Sequence, residues 1–204
     1  MKKNLFSCGV LVGILLGATA PAHAQTGVRV GLKAGVSRTN LTGDNAQGLM
    51  GKFGGHAGLV ANAALSGGFS VQAELLYSQK GAAARNDSSR IQLNYVDLPV
   101  LLRYDAHRFF VEAGPQMGWL VAANKTQRGS ATLDEKPLFR AVAVGYALGV
   151  GYQLSGNLGV GLRYSGDFRA VGKPDTYSYQ YVATPAHPRN RVLQLSATYM
   201  FGGN

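Results

Sequence analysis

At 204 residues, with 20 Lys and Arg against 10 Asp and Glu and a formal charge of +10, the chain has room for one domain and carries a strong surplus of cations. Its one cysteine is Cys8, which excludes a disulfide framework and a cysteine-ligated metal from everything that follows. Beyond residue 24 no apolar run approaches the roughly 20 residues of a membrane-spanning helix.

Lys2 and Lys3, the apolar run Val10 to Leu16, and Ala22-His23-Ala24 before Gln25 have the order of a Sec signal peptide. Residues 1–24 are therefore expected to be removed, leaving residues 25–204 as one exported domain. A membrane anchor is disfavoured because the apolar run is too short. Lipidation is not expected either, since Cys8 precedes the apolar core that a lipid-carrying cysteine would follow.

The rest of the chain alternates. In the first run, Val28 to Thr39, the residues Val28, Val30, Leu32, Ala34 and Val36 take turns with Arg29, Gly31, Lys33, Gly35 and Ser37. A polar stretch, LTGDNAQGLMG, reads as a long loop. The second run, Lys52 to Leu65, sets Ala57, Leu59, Ala61 and Ala63 against His56, Gly58 and Asn62, and Ser66-Gly67-Gly68 reads as a tight turn. The third, Phe69 to Gln79, sets Phe69, Val71, Ala73, Leu75 and Tyr77 against Ser70, Gln72, Glu74 and Ser78, before a second polar loop, GAAARNDSSR.

The fourth run, Ile91 to Tyr104, directs Val96, Leu98, Val100, Leu102 and Tyr104 one way and Asp97, Pro99 and Arg103 the other. Pro99 has no N–H for a ladder and marks a bulge or a local break in pairing. After the short turn Asp105 to Arg108, the fifth run, Phe109 to Val121, opposes Val111, Ala113, Met117 and Trp119 to Glu112, Gly114 and Gln116. A loop from Ala122 to Pro137 leads to the clearest hairpin, Leu138 to Phe168, turned at Ser155-Gly156-Asn157. There Val142, Val144, Tyr146, Leu148, Val150 and Tyr152 alternate with alanine and glycine, and Leu158, Val160, Leu162 and Tyr164 alternate with Gly159, Gly161, Arg163 and Ser165. The longest loop, Arg169 to Asn190, holds TYSYQY and three prolines. The last run, Arg191 to Phe201, carries Leu193, Leu195, Ala197, Tyr199 and Phe201 on one face.

A period of two puts every bulky apolar side chain on one face of a sheet. The opposite face is built of glycine, alanine and polar residues, which suits a narrow interior better than an open surface. Lipid outside and a packed polar lumen inside accounts for both. The predicted fold is all-β: an eight-stranded antiparallel up-and-down transmembrane β-barrel with short periplasmic turns and long external loops. An even strand count leaves both termini periplasmic. Outward aromatics fall into two girdles, Phe69, Tyr104, Phe109, Tyr152 and Phe201 by the turns and Tyr77, Trp119, Phe139 and Phe168 by the loops. A soluble lipocalin-like barrel is the structural competitor, but it requires a polar exterior.

GLKAGVSRTNLTGD, FSVQAELLYSQKGA, LNYVDLPVLLRY, FFVEAGPQMGWL and LQLSATYMF together resemble the porin-family or PorT-like outer-membrane β-barrel proteins of Bacteroidetes, small eight-stranded barrels. The resemblance spans the whole exported domain. It implies the barrel fold and an outer-membrane location in the cell envelope, with insertion by the barrel assembly machinery. PorT itself is tied to type IX secretion, and the family carries no catalytic signature. Gly202-Gly203-Asn204 after Phe201 depart from the usual aromatic ending.

Loss of Lys2 and Lys3 leaves a charge of +8, from the 20 basic and 10 acidic residues of the whole chain. The strand map places Arg29, Lys33, Arg103 and Arg163 in the lumen with Glu74, Asp97, Glu112 and Asp167, as a balanced ion network that fills the barrel. The surplus, Lys80 included, then falls on the external rim, where it suits the phosphates of outer-membrane lipid and lipopolysaccharide or simply solvates the loops. External loops are also expected to meet envelope protein partners. Export excludes nucleic acid as the reason for the basic balance.

No enzyme, cofactor or metal is expected. His56, near an external strand end, is the candidate for a lipid-modifying site, while His107 and His187 lie in a turn and a loop. No spacing of His, Asp and Glu reads as a metal site. The glycines of GYALGVGYQLSGNLGVG imitate a nucleotide loop but sit within strands. The expected function is structural or interactive in the envelope; the alternative is a narrow, gated channel.

Overall fold

In the computed structural model the described residues are 27–44, 49–84, 89–127, 133–134, 136–170 and 186–202. The expected signal peptide and the TYSYQY stretch lie outside the described residues. The strands are β1 (Val28–Asp44), β2 (Leu49–Ala64), β3 (Phe69–Ala84), β4 (Ser89–Ala106), β5 (Phe109–Gln127), a two-residue β6 (Leu133–Asp134), β7 (Val142–Gln153), β8 (Leu158–Asp167) and β9 (Ala186–Met200). All pairings are antiparallel between neighbours in sequence, with β5 passing directly to β7, and β9 returns to β1 to close the sheet. The eight long strands form the barrel. β6 adds only a short rung beside Asn124 and Lys125 at one end of β5.

The wall follows the alternation of the sequence. Val150, Leu162 and Leu195 are about half exposed on the outside, while Arg163 and Glu74, on the inner face, are almost wholly buried. Among the described residues no helix is long and apolar enough to cross a membrane. The exposed face is instead a continuous apolar belt on the barrel itself, far larger than a soluble protein leaves uncovered. Tight connections at Leu65–Gly68, His107–Arg108 and Leu154–Asn157 gather at one end. There Phe69 packs on Tyr104 at 4.8 Å and Phe109 on Tyr152 at 5.0 Å between ring centroids, as one interfacial girdle.

One expectation is corrected here, and one of the two readings of Pro99 is selected. The polar stretches read as loops after the first and third runs are largely strand: β1 pairs with β9 to Asp44, and β3 with β4 to Ala83. Above a bilayer both faces of a hairpin are wet, so the hydrophobic period that reveals a strand is lost while its hydrogen bonds remain. At Pro99 pairing lapses locally. The β3–β4 ladder omits Leu98 and Pro99, and the register on either side is unchanged. The bulge lies elsewhere: Asn94 pairs with Ala122 and Tyr95 with Leu120, leaving Val121 as the extra residue.

Candidate functional site

The barrel interior holds the chemistry. Lys33 on β1, Glu74 on β3, Glu112 on β5 and Arg163 on β8 point inward by strand parity and meet in mid-lumen. Arg163 Nη1 donates to Glu74 Oε2 at 2.6 Å and Nη2 to Glu74 Oε1 at 2.7 Å. Its Nε donates to Glu112 Oε1 at 2.8 Å, a contact that Nη2 shares. Lys33 Nζ donates to Glu74 Oε1 at 3.0 Å. Gln72 Nε2 bridges the carboxylates, at 2.7 Å from Glu74 and 3.3 Å from Glu112. Two cations thus meet two carboxylates where the protein excludes water, and the planar guanidinium satisfies both acids at once.

The other predicted lumen charges do not join this centre. Asp97 accepts from Lys80 Nζ at 2.9 Å, and Lys80 also lies 4.7 Å over the Tyr95 ring. Asp167 accepts from Asn190 Nδ2 at 2.8 Å. Arg103 grips Asp105 at 2.6 Å and stacks 3.7 Å over Phe110. Arg29 donates to the Gly156 carbonyl at 3.0 Å. Arg29 and Arg103 line a vestibule of about 200 Å³ at the tight-turn end, whose floor includes Gln72 and Phe110.

Lys80, expected on the rim, is buried in the lumen. β3 continues past Gln79, so its alternation carries Lys80 inside. Among the described residues the buried lumen charges are Lys33, Lys80 and Arg163 with Glu74, Asp97, Glu112 and Asp167, while Arg29 and Arg103 line the vestibule.

Phe139 is also corrected. It faces inward and is buried with Ile91, Leu93, Tyr95, Leu120 and Ala123. The segment after β5 folds back so that Leu120 N–H donates to the Ala141 carbonyl at 2.9 Å, which seats Phe139 beside the Val121 bulge. These side chains form an apolar roof over the Arg163 centre, on its loop side.

His56 is buried beside its cross-strand neighbour Ser78, and among the described residues neither its ring nitrogens nor the Ser78 hydroxyl has a hydrogen-bond partner. It faces the lumen and not the lipid. Among the described residues no group of three or more His, Cys, Asp or Glu is placed to hold a metal ion.

An apolar outer wall, a closed ring of eight antiparallel strands and an ion-filled interior define a transmembrane β-barrel of the small outer-membrane kind. The sequence model of the outer membrane protein beta-barrel domain family matches residues 23–166, more than half of the chain, and this protein belongs to that family. Membership carries an outer-membrane location. Among solved structures, Neisserial surface protein A is similar with a TM-score of 0.57 and 13% identity, over 86% of this chain and 99% of its own. Ail, the attachment invasion locus protein of Yersinia pestis, solved in complex with the heparin analogue sucrose octasulfate, has a TM-score of 0.50 and 11% identity, over 85% of this chain and 99% of its own. At such identities the likeness is one of fold. No curated protein matches the sequence.

Proposed function

We propose that this protein is a plugged, non-conducting and non-enzymatic barrel whose work is done at its outer surface, as an interaction or structural component of the envelope. The observation that carries this reading is the stack inside it. The Arg163 centre crosses the lumen, and the Phe139 roof lies beyond it. An eight-stranded barrel is only wide enough to be filled by side chains, and here it is filled by groups that hold one another. Residues 1–24 serve as the Sec signal, the barrel assembly machinery inserts the domain, and the basic rim contacts lipopolysaccharide, with envelope proteins as further partners. The tie to PorT-like proteins of Bacteroidetes belongs to this same proposal, resting on the sequence blocks quoted above.

The second reading is a narrow gated channel, favoured by the vestibule that already opens one end as far as Gln72. Conductance across a planar bilayer separates the two. The refolded domain is expected to be electrically silent. Discrete openings in the wild-type protein would replace the plug with a gate, the more so if neutralising Arg163 or Glu112 changed them.

A further inference from the structure

The outward side chains of β9 run Tyr199, Ala197, Leu195, Leu193 and then, in the same alternation, Arg191. From Tyr199 to Arg191 is about 20 Å of barrel height, at ~3.3 Å per residue and a strand tilt of ~40°. Arg191 therefore stands near the loop-side end of the apolar band, about 25 Å tall, where its long side chain reaches the headgroups.

It is not a loose arm. Its register partner on β8 is Gly166, and the partner of Gly166 on β7 is Tyr146. A Cβ at Gly166 would lie 2.6 Å from Arg191 Nη1, so the guanidinium can rest across β8 only because that position has no side chain. From there Nη1 donates to Tyr146 Oη at 2.7 Å. The Tyr146 ring is braced in turn by Phe168 at 5.5 Å and Tyr164 at 6.4 Å. Two neutral phenols, Tyr146 and Tyr164, position the guanidinium without cancelling its charge, and its other N–H donors can serve another acceptor.

We infer that Arg191, laid over Gly166 and held by Tyr146, is a seat for the phosphate of an outer-leaflet lipid. Guanidinium and phosphate match as a two-pronged, charge-assisted pair, and a guanidinium already fixed by Tyr146 loses less freedom on binding. The aromatic rings beside it stand at the level where acyl chains meet headgroups. This inference rests on the proposed contact of the basic rim with lipopolysaccharide in the outer membrane, and not on whether the lumen conducts.

The test is native mass spectrometry of the refolded barrel, titrated with bis-phosphorylated lipid A and with the same lipid stripped of phosphate. The wild type should retain the phosphorylated form about tenfold more tightly, as a charged hydrogen-bond pair allows. Arg191→Gln should erase that preference. Gly166→Val, which keeps the charge but displaces the guanidinium, should weaken it as well. Arg108→Gln, exposed on a tight turn at the opposite end of the barrel, should leave it intact. Preference surviving in Arg191→Gln, or lost equally in Arg108→Gln, overturns the seat. Inorganic phosphate that displaces the lipid at equal concentration overturns the choice of a lipid as its ligand. Heat-modifiable migration in bilayers is read on each sample. A wild-type barrel that fails to insert overturns the membrane placement on which the proposed function rests, whereas an inserted barrel without phosphate preference overturns only the seat.

Discussion

Arg163 and Glu74 join opposite walls of the barrel: β8 and β3 are four strands apart by either route around the ring, and two hydrogen bonds of 2.6 and 2.7 Å bridge them. Lys33 on β1 and Glu112 on β5 are opposed in the same way, and both attach to that bridge. The centre is thus a cross-brace between opposite walls. Each member is held by a strand that none of the others occupies, so loosening one contact is felt all round the wall.

Removing the hub should be costly. Arg163→Met keeps much of the volume but leaves Glu74 and Glu112 buried beside Lys33 alone. Breaking a buried pair from one side costs about 3–5 kcal/mol, most of it the penalty on the stranded charge. The midpoint of urea unfolding in lipid, read by heat-modifiable migration, should fall accordingly. Because the site excludes water, added salt should change the loss little. An unaltered midpoint would remove the brace from the account.

Burial, and not the mere presence of an ion pair, should set the rank order of the acids. Glu112→Gln weakens a carboxylate that is nearly inaccessible and accepts from Arg163. Asp105→Asn weakens a pair whose acid side chain is 39% exposed at the vestibule. Screening there should hold the effect within about 1 kcal/mol. Equal losses in the two variants, measured by the same unfolding assay, would mean that burial is not what distinguishes them.

Much of this was legible in the sequence, and the misses have identifiable causes. Alternation of bulky with small residues marked out β7 and β8, and parity alone turned Glu74, Glu112 and Arg163 inward. Which of them would meet was not legible, because contact across four strands depends on the stagger of the whole ring and not on spacing along the chain. Lys80 was missed because β3 outlasts its hydrophobic pattern. The roof was missed for two reasons. The Val121 bulge re-phases β5 beyond Leu120, and Phe139 lies in a connection with no period at all.

The roof can be tested through Phe139→Ala. Truncating a buried phenylalanine leaves a cavity and costs about 3 kcal/mol where the surroundings cannot collapse. Here the loss should fall on the loop end first. Amide exchange should accelerate in β4 near Leu93 and in β5 near Ala123, while the Arg163 centre stays protected. Acceleration spread evenly over all strands would show that the roof and the ion centre melt as one unit.

The sharpest test of the plug leaves every charged residue in place. Gly149 on β7 faces Glu112, and a Cβ there would lie 2.7 Å from Glu112 Oε1 and 2.8 Å from its Cγ. The missing side chain is the space through which Glu112 lies across to Arg163. Gly149→Val fills it with a branched group that suits a strand and adds an apolar surface, so local propensity does not oppose the change. Its cost arises from displacement: Glu112 must swing away, and Arg163 keeps only Glu74. If the plug is what silences the barrel, Gly149→Val should both lower the unfolding midpoint and raise bilayer conductance above that of the wild type. Gly149→Ala should do less of each, since a smaller group asks Glu112 to move less. A destabilised but silent Gly149→Val barrel would assign the silence to the Phe139 roof, and the double variant with Phe139→Ala should then be the one that conducts.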